Sequence, residues 1–532
     1  MSWATNAIFY ELYPRAFADG DGDGHGDLRG LRQRLDYIEW LGIDCVWLTP
    51  IYPSPLRDDG YDISSFYGLL PKFGHLEEFK FTVDEMHRRG IKVILDLVVN
   101  HTSDDHPWFV EARSSKESPL RDWYVWSDTD DKYADTRIIF LDTEPSNWTW
   151  DEGSGQYYWH RFFRSQPDLN YDNPAVRAEM LRIIDFWLKL GIDGFRVDAV
   201  PYLIEREGTN CENLPETHDI LAEWRRFVDE RHPGTILLAE ANQWPRDLIP
   251  YFGTSSAPEF NTCFHFPVMP RLYMALARGD RSSVVEILNE TPQIPPGTQW
   301  ATFLRNHDEL TLEMVTPEER EFMWDYYAPE PRMRLNLGIR RRLAPLMGND
   351  RRKIELMNSM LFTLPGSPVL YYGDEIGMGD NIYLEDRNGV RTPMQWSADA
   401  NAGFSTASRE LLYAPPIEDP EFGFTHVNVE AQRSDPSSLL WTIKRMITAR
   451  KQLPVLATGR LDWLQEIPNQ GLCFWRTEGD THFLALHNLS DEPLSINLPG
   501  TGSYRNALDP ESGALSGDVS LPPFGYLWLT PA

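Results

Sequence analysis

Cysteine is scarce. The 532 residues contain 4, Cys45, Cys211, Cys263 and Cys473, far apart in sequence, with no CxxC pair and no histidine at metal-ligand spacing beside them. That spacing disfavours both a disulfide framework and a zinc cluster. Positive charge is in deficit too: 50 Lys and Arg stand against 80 Asp and Glu, giving −30, and no block of basic residues occurs. Neutralising phosphates needs the opposite sign, so neither nucleic acid nor an anionic membrane surface is an expected partner. Long apolar runs are missing as well. There is no window of about 18 apolar residues, and the opening MSWATNAIFYELYPR has no basic segment followed by an apolar one. The expectation is a cytoplasmic protein without an anchor.

What is there is a globular composition, 42% hydrophobic and 24% charged, in a chain long enough for one large catalytic domain and one or two smaller ones. Aromatics are plentiful at 19 Trp, 22 Tyr and 26 Phe. Core packing accounts for most of them, and flat faces that stack on sugar rings are a second use.

Eight short apolar runs recur, at 6–15, 45–51, 92–101, 194–200, 235–242, 262–266, 300–308 and 368–375. Their near-continuous Val, Ile, Leu and Phe content is that of strands buried on both faces. The intervening stretches 28–42, 76–90 and 174–191 have apolar residues at helical spacing, and each ends in glycine, the residue expected just past a helix terminus. Strand then helix, repeated, predicts an α/β fold of the (β/α)₈ TIM-barrel type. Residues 102–173 exceed the roughly 12–15 residues at which a loop needs a special reason, so a small inserted domain is expected after the third strand. The segment 309–360 is also oversized and reads as helical. Past residue 440 the pattern changes to short alternating stretches split by Gly, Pro, Asn and Asp, as in an antiparallel β-sandwich. The expected division is a barrel of 1–101 with 174–440, an insertion of 102–173 and a C-terminal domain of 441–532.

Active sites of such barrels lie at the C-terminal strand ends. The polar residues there are Asn100 and His101, Arg196 and Asp198, Glu240 and Asn242, and His307 and Asp308. Three carboxylates on three strands, with an arginine, two histidines and no reactive Ser or Cys constellation, suit chemistry on an acetal bond. Arg196 lies two residues before Asp198, so on a strand both point to one side, and its charge would hold Asp198 ionised as nucleophile. Glu240 in a less polar setting would stay protonated as the acid. A barrel-end salt bridge is the competing explanation for any one acid, and a weaker one for three together.

These residues carry a resemblance. DLVVNHT, GFRVDAV, LLAEAN and FLRNHD resemble, in order, the four sequence regions of the α-amylase family, glycoside hydrolase family 13, and QPDLN (166–170) and RTPMQW (391–396) resemble its α-glucosidase branch. The resemblance covers essentially the whole chain. It implies Asp198 as nucleophile, Glu240 as general acid/base and Asp308 as transition-state stabiliser. It further implies that Asp58, His101, Arg196, His307 and Arg391 hold the bound glucosyl ring, with Tyr61 stacked on it. The stretches 260–276, 303–316 and 367–380 resemble the trehalose-synthase branch, which implies reversible conversion of maltose to trehalose by a retaining double displacement, with minor hydrolysis and no organic cofactor. The leaving glucose must then be kept and turned, and Tyr202, Asn242, Glu309 and Glu313 are candidates for holding it; ordinary loop hydrogen bonding is the alternative for each.

Part of the acid surplus has a regular spacing. Asp19, Asp21, Asp23, His25 and Asp27 alternate with glycines, matching loop positions 1, 3, 5, 7 and 9 of a calcium loop with glycine at the sixth. Position 12 is Gly30, so this is no EF-hand; a solvated acidic turn is the alternative. Relatives in the family carry a divalent ion on such a loop, with a backbone carbonyl here supplied by His25. The family also implies a second ion, held by Asn100, Asp168 and Glu205 with backbone oxygens of Tyr202 and Leu203, tying the insertion to the barrel. Ca²⁺ is expected, with Mg²⁺ open for one of the two. Two other functions share these features: a hydrolytic α-glucosidase or sucrose-isomerase-type enzyme, and a non-catalytic amylase-like subunit, which would lack an acid or carry a membrane segment. The sequence leaves homo-oligomerisation open.

Overall fold

The computed structural model of the chain describes residues 2–532. The eight apolar runs become eight parallel strands: β1 (Phe9–Leu12), β2 (Cys45–Leu48), β3 (Lys92–Val98), β4 (Gly194–Asp198), β5 (Ile236–Ala239), β6 (Thr262–Phe264), β7 (Gln299–Phe303) and β8 (Ser367–Tyr371). They close in sequence order, with β8 hydrogen-bonded back to β1 in the register Phe9 to Val369. Apart from Lys92 at the start of β3, every residue of these strands is buried, which is why their sequences show no alternation.

Helices cover the outside. Pro174–Lys189 starts on an Asn173 cap that accepts from the Ala175 N–H, with proline at its first position, and buries Val176, Met180, Ile183, Ile184, Trp187 and Leu188 on one face. The expected helix over 28–42 is two helices, Leu28–Gln33 and Leu35–Leu41. The break is at Arg34, whose guanidinium donates to the Gly403 carbonyl and lies 4.3 Å from the Trp396 ring centroid, a tertiary contact that local periodicity cannot show.

The insertion contains a three-stranded antiparallel sheet of Trp126–Ser127, Gln156–Trp159 and Trp148–Asp151. It is anchored to the chain leaving β3 by a bridge pairing His101 with Asp168 and by the Leu169 N–H, which donates to the Asn100 carbonyl, while a bridge between Tyr124 and Leu169 closes the insertion on itself. Segment 309–360 departs from the helical expectation. Beside the helices Pro317–Tyr327 and Arg351–Thr363 it holds a small antiparallel sheet of Leu310–Thr311, Gly338–Ile339 and Arg334–Leu335. Pro329 and Pro331 end the first helix, and two-residue strands are too short to show a period.

The expected boundary at 440/441 also moves. It falls inside the helix Leu439–Lys451, which packs on the barrel helix Arg351–Thr363, and the C-terminal strands begin at Arg460. Five strands form one antiparallel sheet, and Leu494–Asn497 pairs with Asp518–Leu521 in another. Leu494, Ile496, Val519 and Leu521 face Leu484, Leu486 and Leu529 across a separate small core, the alternation expected of a sandwich. Among the described residues no helix is long and apolar enough to cross a membrane.

Candidate active site

The strand ends open into a cleft of about 820 Å³, a volume that includes its open mouth. Asp198, Glu240 and Asp308 all line it. Directly after Asp198 the chain makes a strained turn: Ala199 has φ 52°, in the left-handed region disfavoured for any residue with a Cβ. The turn aims the Ala199 N–H at Glu240 Oε2, 3.1 Å away.

Arg196 lies beneath the acids and is 1% exposed. Its guanidinium meets Asp96, Asp198 at 2.6 Å, and Glu240. One fixed positive charge thus faces three carboxylates, of which Asp96 and Asp198 are buried and Glu240 half-buried, and a full set of negative charges cannot be sustained there. Burial pushes Asp198 up to about 6 against the pull of Arg196. Burial, joined by the charges of Asp198 and Asp308, pushes Glu240 further, to about 8. At neutral pH Glu240 keeps the proton and Asp198 releases it.

Asp308 has the opposite setting. Burial would raise it, but His307, Arg387 and Arg391 outweigh burial and hold it well below the usual carboxylate range. His307 Nε2 is 3.0 Å from Asp308 Oδ2, and Arg387 and Arg391 reach Oδ1 at 2.9 and 3.0 Å. His307 itself is pushed up to about 9, burial being overcome by Asp308 and Glu11. His101 is pushed down to about 3 by burial and is neutral. Its Nε2 must carry the proton, because it lies 3.2 Å from the Tyr61 carbonyl, which only accepts.

The far wall is made by Tyr202, Asn242, Glu309 and Glu313, and the roof by Ile139, Phe140 and Phe162 from the insertion. Residues 137–142 form a strap across the mouth. At one end Arg137 pairs with Glu212 at 2.7 Å and Glu313 at 2.9 Å, and donates to the Tyr202 hydroxyl. At the other, the Asn336 N–H donates to Asp142 at 2.7 Å, while Arg387 lies 5.1 Å from the Phe140 ring centroid. Asn242 donates to Glu313 Oε2 at 3.0 Å, so the far wall and the strap share one carboxylate.

The profile described as alpha amylase, catalytic domain, matches residues 11–323 and 340–459. The chain belongs to the α-amylase family. It is 54% identical to the trehalose synthase/amylase of Mycobacterium tuberculosis over 99% of this chain and 90% of that protein. It is 53% identical to the trehalose synthase of Pimelobacter sp. over 99% and 93%. Among solved structures, a trehalulose synthase superposes with a TM-score of 0.81 at 26% identity, covering the whole of both chains.

Within this α-amylase-family barrel, most residues expected around the substrate do reach the cleft: Asp58, Tyr61, His101, Tyr202, Asn242, His307, Glu309 and Glu313 with the three acids. Two do not. Arg196 and Arg391, expected to hold the sugar, stand behind the wall, each 1% exposed and turned to carboxylates. The guanidinium on the wall is Arg387, which joins Asp58 Oδ1 at 2.6 Å to Asp308. Its proximity to RTPMQW in sequence was the available signal. Tyr61 stacks on the His307 ring, centroids 5.1 Å apart and planes 7° from parallel, with its hydroxyl on Asp96.

In the glycine-rich loop, carboxylate oxygens of Asp19, Asp21 and Asp27 come within 4.8 Å of one another, a set of hard oxygen ligands suited to Ca²⁺ or Mg²⁺. The loop can turn this tightly because Gly24 has φ 94° and a Cβ there would sit 2.1 Å from the Leu411 carbonyl oxygen. Asp23, expected among the ligands, instead pairs with Lys72 at 3.1 Å and accepts the His25 N–H. The His25 ring packs near Tyr413, centroids 6.0 Å apart, and its Nδ1 is buried without a partner. The second set also fits a cation. Asp168 Oδ2 and Asn100 Oδ1 are buried without partners, and burial with the Asp168 charge raises Glu205 well above the usual range. Burial pushes Asp168 up to about 8. Two buried acids and two orphaned oxygens are what a divalent ion would satisfy.

Proposed function

We propose that the chain interconverts maltose and trehalose by intramolecular glucosyl transfer. The observation that carries this reading is the union of a three-carboxylate centre with a mouth strapped shut by Arg137, in a chain more than half identical to proteins named trehalose synthase.

Ionised Asp198 attacks the anomeric carbon of the non-reducing glucose unit as the bond to the leaving oxygen breaks. Glu240 gives its proton to that oxygen, releasing glucose and leaving a glucosyl ester on Asp198. Asp308, fixed as an anion, stabilises the positive charge that develops on the ring. Asp58, His307 and Arg387 hold the hydroxyls of this unit. The freed glucose is kept under the strap, turns, and attacks the ester through its own anomeric hydroxyl, whose proton returns to Glu240. The Asp198 ester bond breaks and an α,α-1,1 bond forms in place of the α-1,4 bond. No nucleotide is needed, because one glycosidic bond replaces another.

Water must be excluded while the ester stands. Phe140 and Phe162 in the roof, with the Arg137 pairs, serve that purpose. Hydrolysis is the second reading; it is favoured by the mycobacterial relatives' naming as synthase and amylase both, and it follows whenever water reaches the ester first. A divalent ion on Asp19, Asp21 and Asp27, and another on Asn100, Asp168 and Glu205 with the backbone of Tyr202 and Leu203, would neutralise charge and fix the insertion; Ca²⁺ suits both. The four cysteines are buried and unpaired, which suits a cytoplasmic setting. Incubation with maltose, and separately with trehalose, tests the proposal. Each should yield the other as main product, and glucose alone from both would refute it.

A further inference from the structure

Glu11 on β1 has no part in the chemistry above, yet it is fully buried beside His307, a residue of the cleft wall. Tyr10 before it turns outward to Glu375, and Glu11 turns inward. Its Oε1 accepts the His307 backbone N–H at 3.2 Å and lies 2.5 Å from His307 Nδ1. The other ring nitrogen, Nε2, is 3.0 Å from Asp308 Oδ2. Both ring nitrogens thus face carboxylate oxygens, so the ring is placed to donate from each of them.

We propose that Glu11 is a positioning residue for glucosyl transfer, which by accepting from both the backbone and Nδ1 of His307 fixes that ring as an imidazolium donating from Nε2. This rests on the reading of Asp308 as the transition-state stabiliser. Without Glu11 the ring would meet Asp308 with one proton and could leave its Nε2 bare, turning a donor to Asp308 or a sugar hydroxyl into a second acceptor. The surroundings offer no substitute partner for Nδ1. Tyr61 covers one ring face, Trp47 meets the ring edge to face, and Tyr13 lies 6.3 Å away between centroids. Asp96 is occupied by Arg196, Trp47 and Tyr61, and Arg391 donates to the His307 carbonyl. Glu11 Oε2 has no partner of its own, so the side chain is committed to this one contact.

The test is Glu11→Gln, which keeps the shape and an accepting oxygen but removes the charge. With ring-¹³C histidine in the intact enzyme, His307 is assigned among the 13 histidines by its loss in His307→Gln. In the unaltered protein it should be doubly protonated at pH 8, and Glu11→Gln should lower its midpoint by at least about one pH unit. The alkaline limb of kcat/KM on maltose, which Glu240 sets near 8 in the unaltered protein, should move lower as the His307 midpoint falls to or below it, with kcat at pH 8 reduced about twofold or more. A neutral His307 at pH 8 in the unaltered protein overturns the proposal even if the variant fails to fold. So does an unchanged titration or pH profile in the variant. Absence of trehalose formation by the unaltered enzyme would instead count against the reaction itself, while the titration still decides the role of Glu11.

Discussion

Cutting the strap should convert transfer into hydrolysis. Arg137 joins the insertion to Glu212 and Glu313, whose side chains are 5% and 14% exposed. Charge-assisted hydrogen bonds contribute about 1.5–3 kcal/mol each when well buried. Arg137 is itself 34% exposed, so solvent screening reduces that, and about 2 kcal/mol is a reasonable total for closure. At about 1.4 kcal/mol per factor of ten, Arg137→Ala multiplies the ratio of open to closed mouths roughly thirtyfold. A mouth open about 1% of the time would then be open about a quarter of the time. The assay is the initial ratio of glucose to trehalose formed from maltose, read by chromatography before the product is reused. The glucose share should rise severalfold in Arg137→Ala and less in Arg137→Lys, which keeps a charge but not the forked geometry. An unchanged product ratio in Arg137→Ala, with maltose turnover intact, would refute the role given to the strap.

Asp198→Ala should abolish turnover by at least about 10⁴-fold while leaving the melting temperature close to the parent's, and retained activity would remove Asp198 from its role. The pH profile of kcat/KM should be a bell, with limbs near 6 from Asp198 and near 8 from Glu240. Because the folded protein holds the Glu240 proton more tightly than the unfolded chain, the stability it contributes is present below the unfolded value, near 4.5, and is lost as pH rises through about 8. Glu240→Gln should therefore raise the melting temperature more at pH 8 than at pH 5, and a gain independent of pH would contradict this. A chelator should lower the melting temperature by a few degrees, reversed by Ca²⁺, since ligand at about 100 times its dissociation constant stabilises by about 2.7 kcal/mol. Asp168→Asn should remove much of that response, and a melting curve indifferent to chelator in the parent would argue against both ions.

All eight barrel strands were legible, because strands buried on both faces write themselves as unbroken apolar runs. So were the three acids, since each sits where such a run turns polar. What lay outside the sequence's reach depended on contacts between distant segments. The division of labour among guanidiniums is one case: Arg196 and Arg391 sit behind the wall and Arg387 on it, a distinction of about one side-chain layer. The turning of Asp23 toward Lys72 is another, because a regular spacing fixes which acids share a loop but not which face inward. Glu11 was read only as part of a strand, since a lone carboxylate in an apolar run gives no sign of the histidine it meets 296 residues later. The two-residue strands at 310–339 and the helix break at Arg34 were hidden for the same reason, tertiary contacts overriding local pattern.

The central claim is that the leaving glucose never escapes, and an isotope experiment tests it most directly. Unlabelled maltose is incubated with excess ¹³C-glucose, and the trehalose formed is weighed by mass spectrometry. Retention under the strap requires trehalose that is almost wholly unlabelled from the first turnovers. Trehalose carrying one labelled ring, in proportion to the free glucose supplied, would mean that the acceptor comes from solution and that the closed, intramolecular mechanism is wrong.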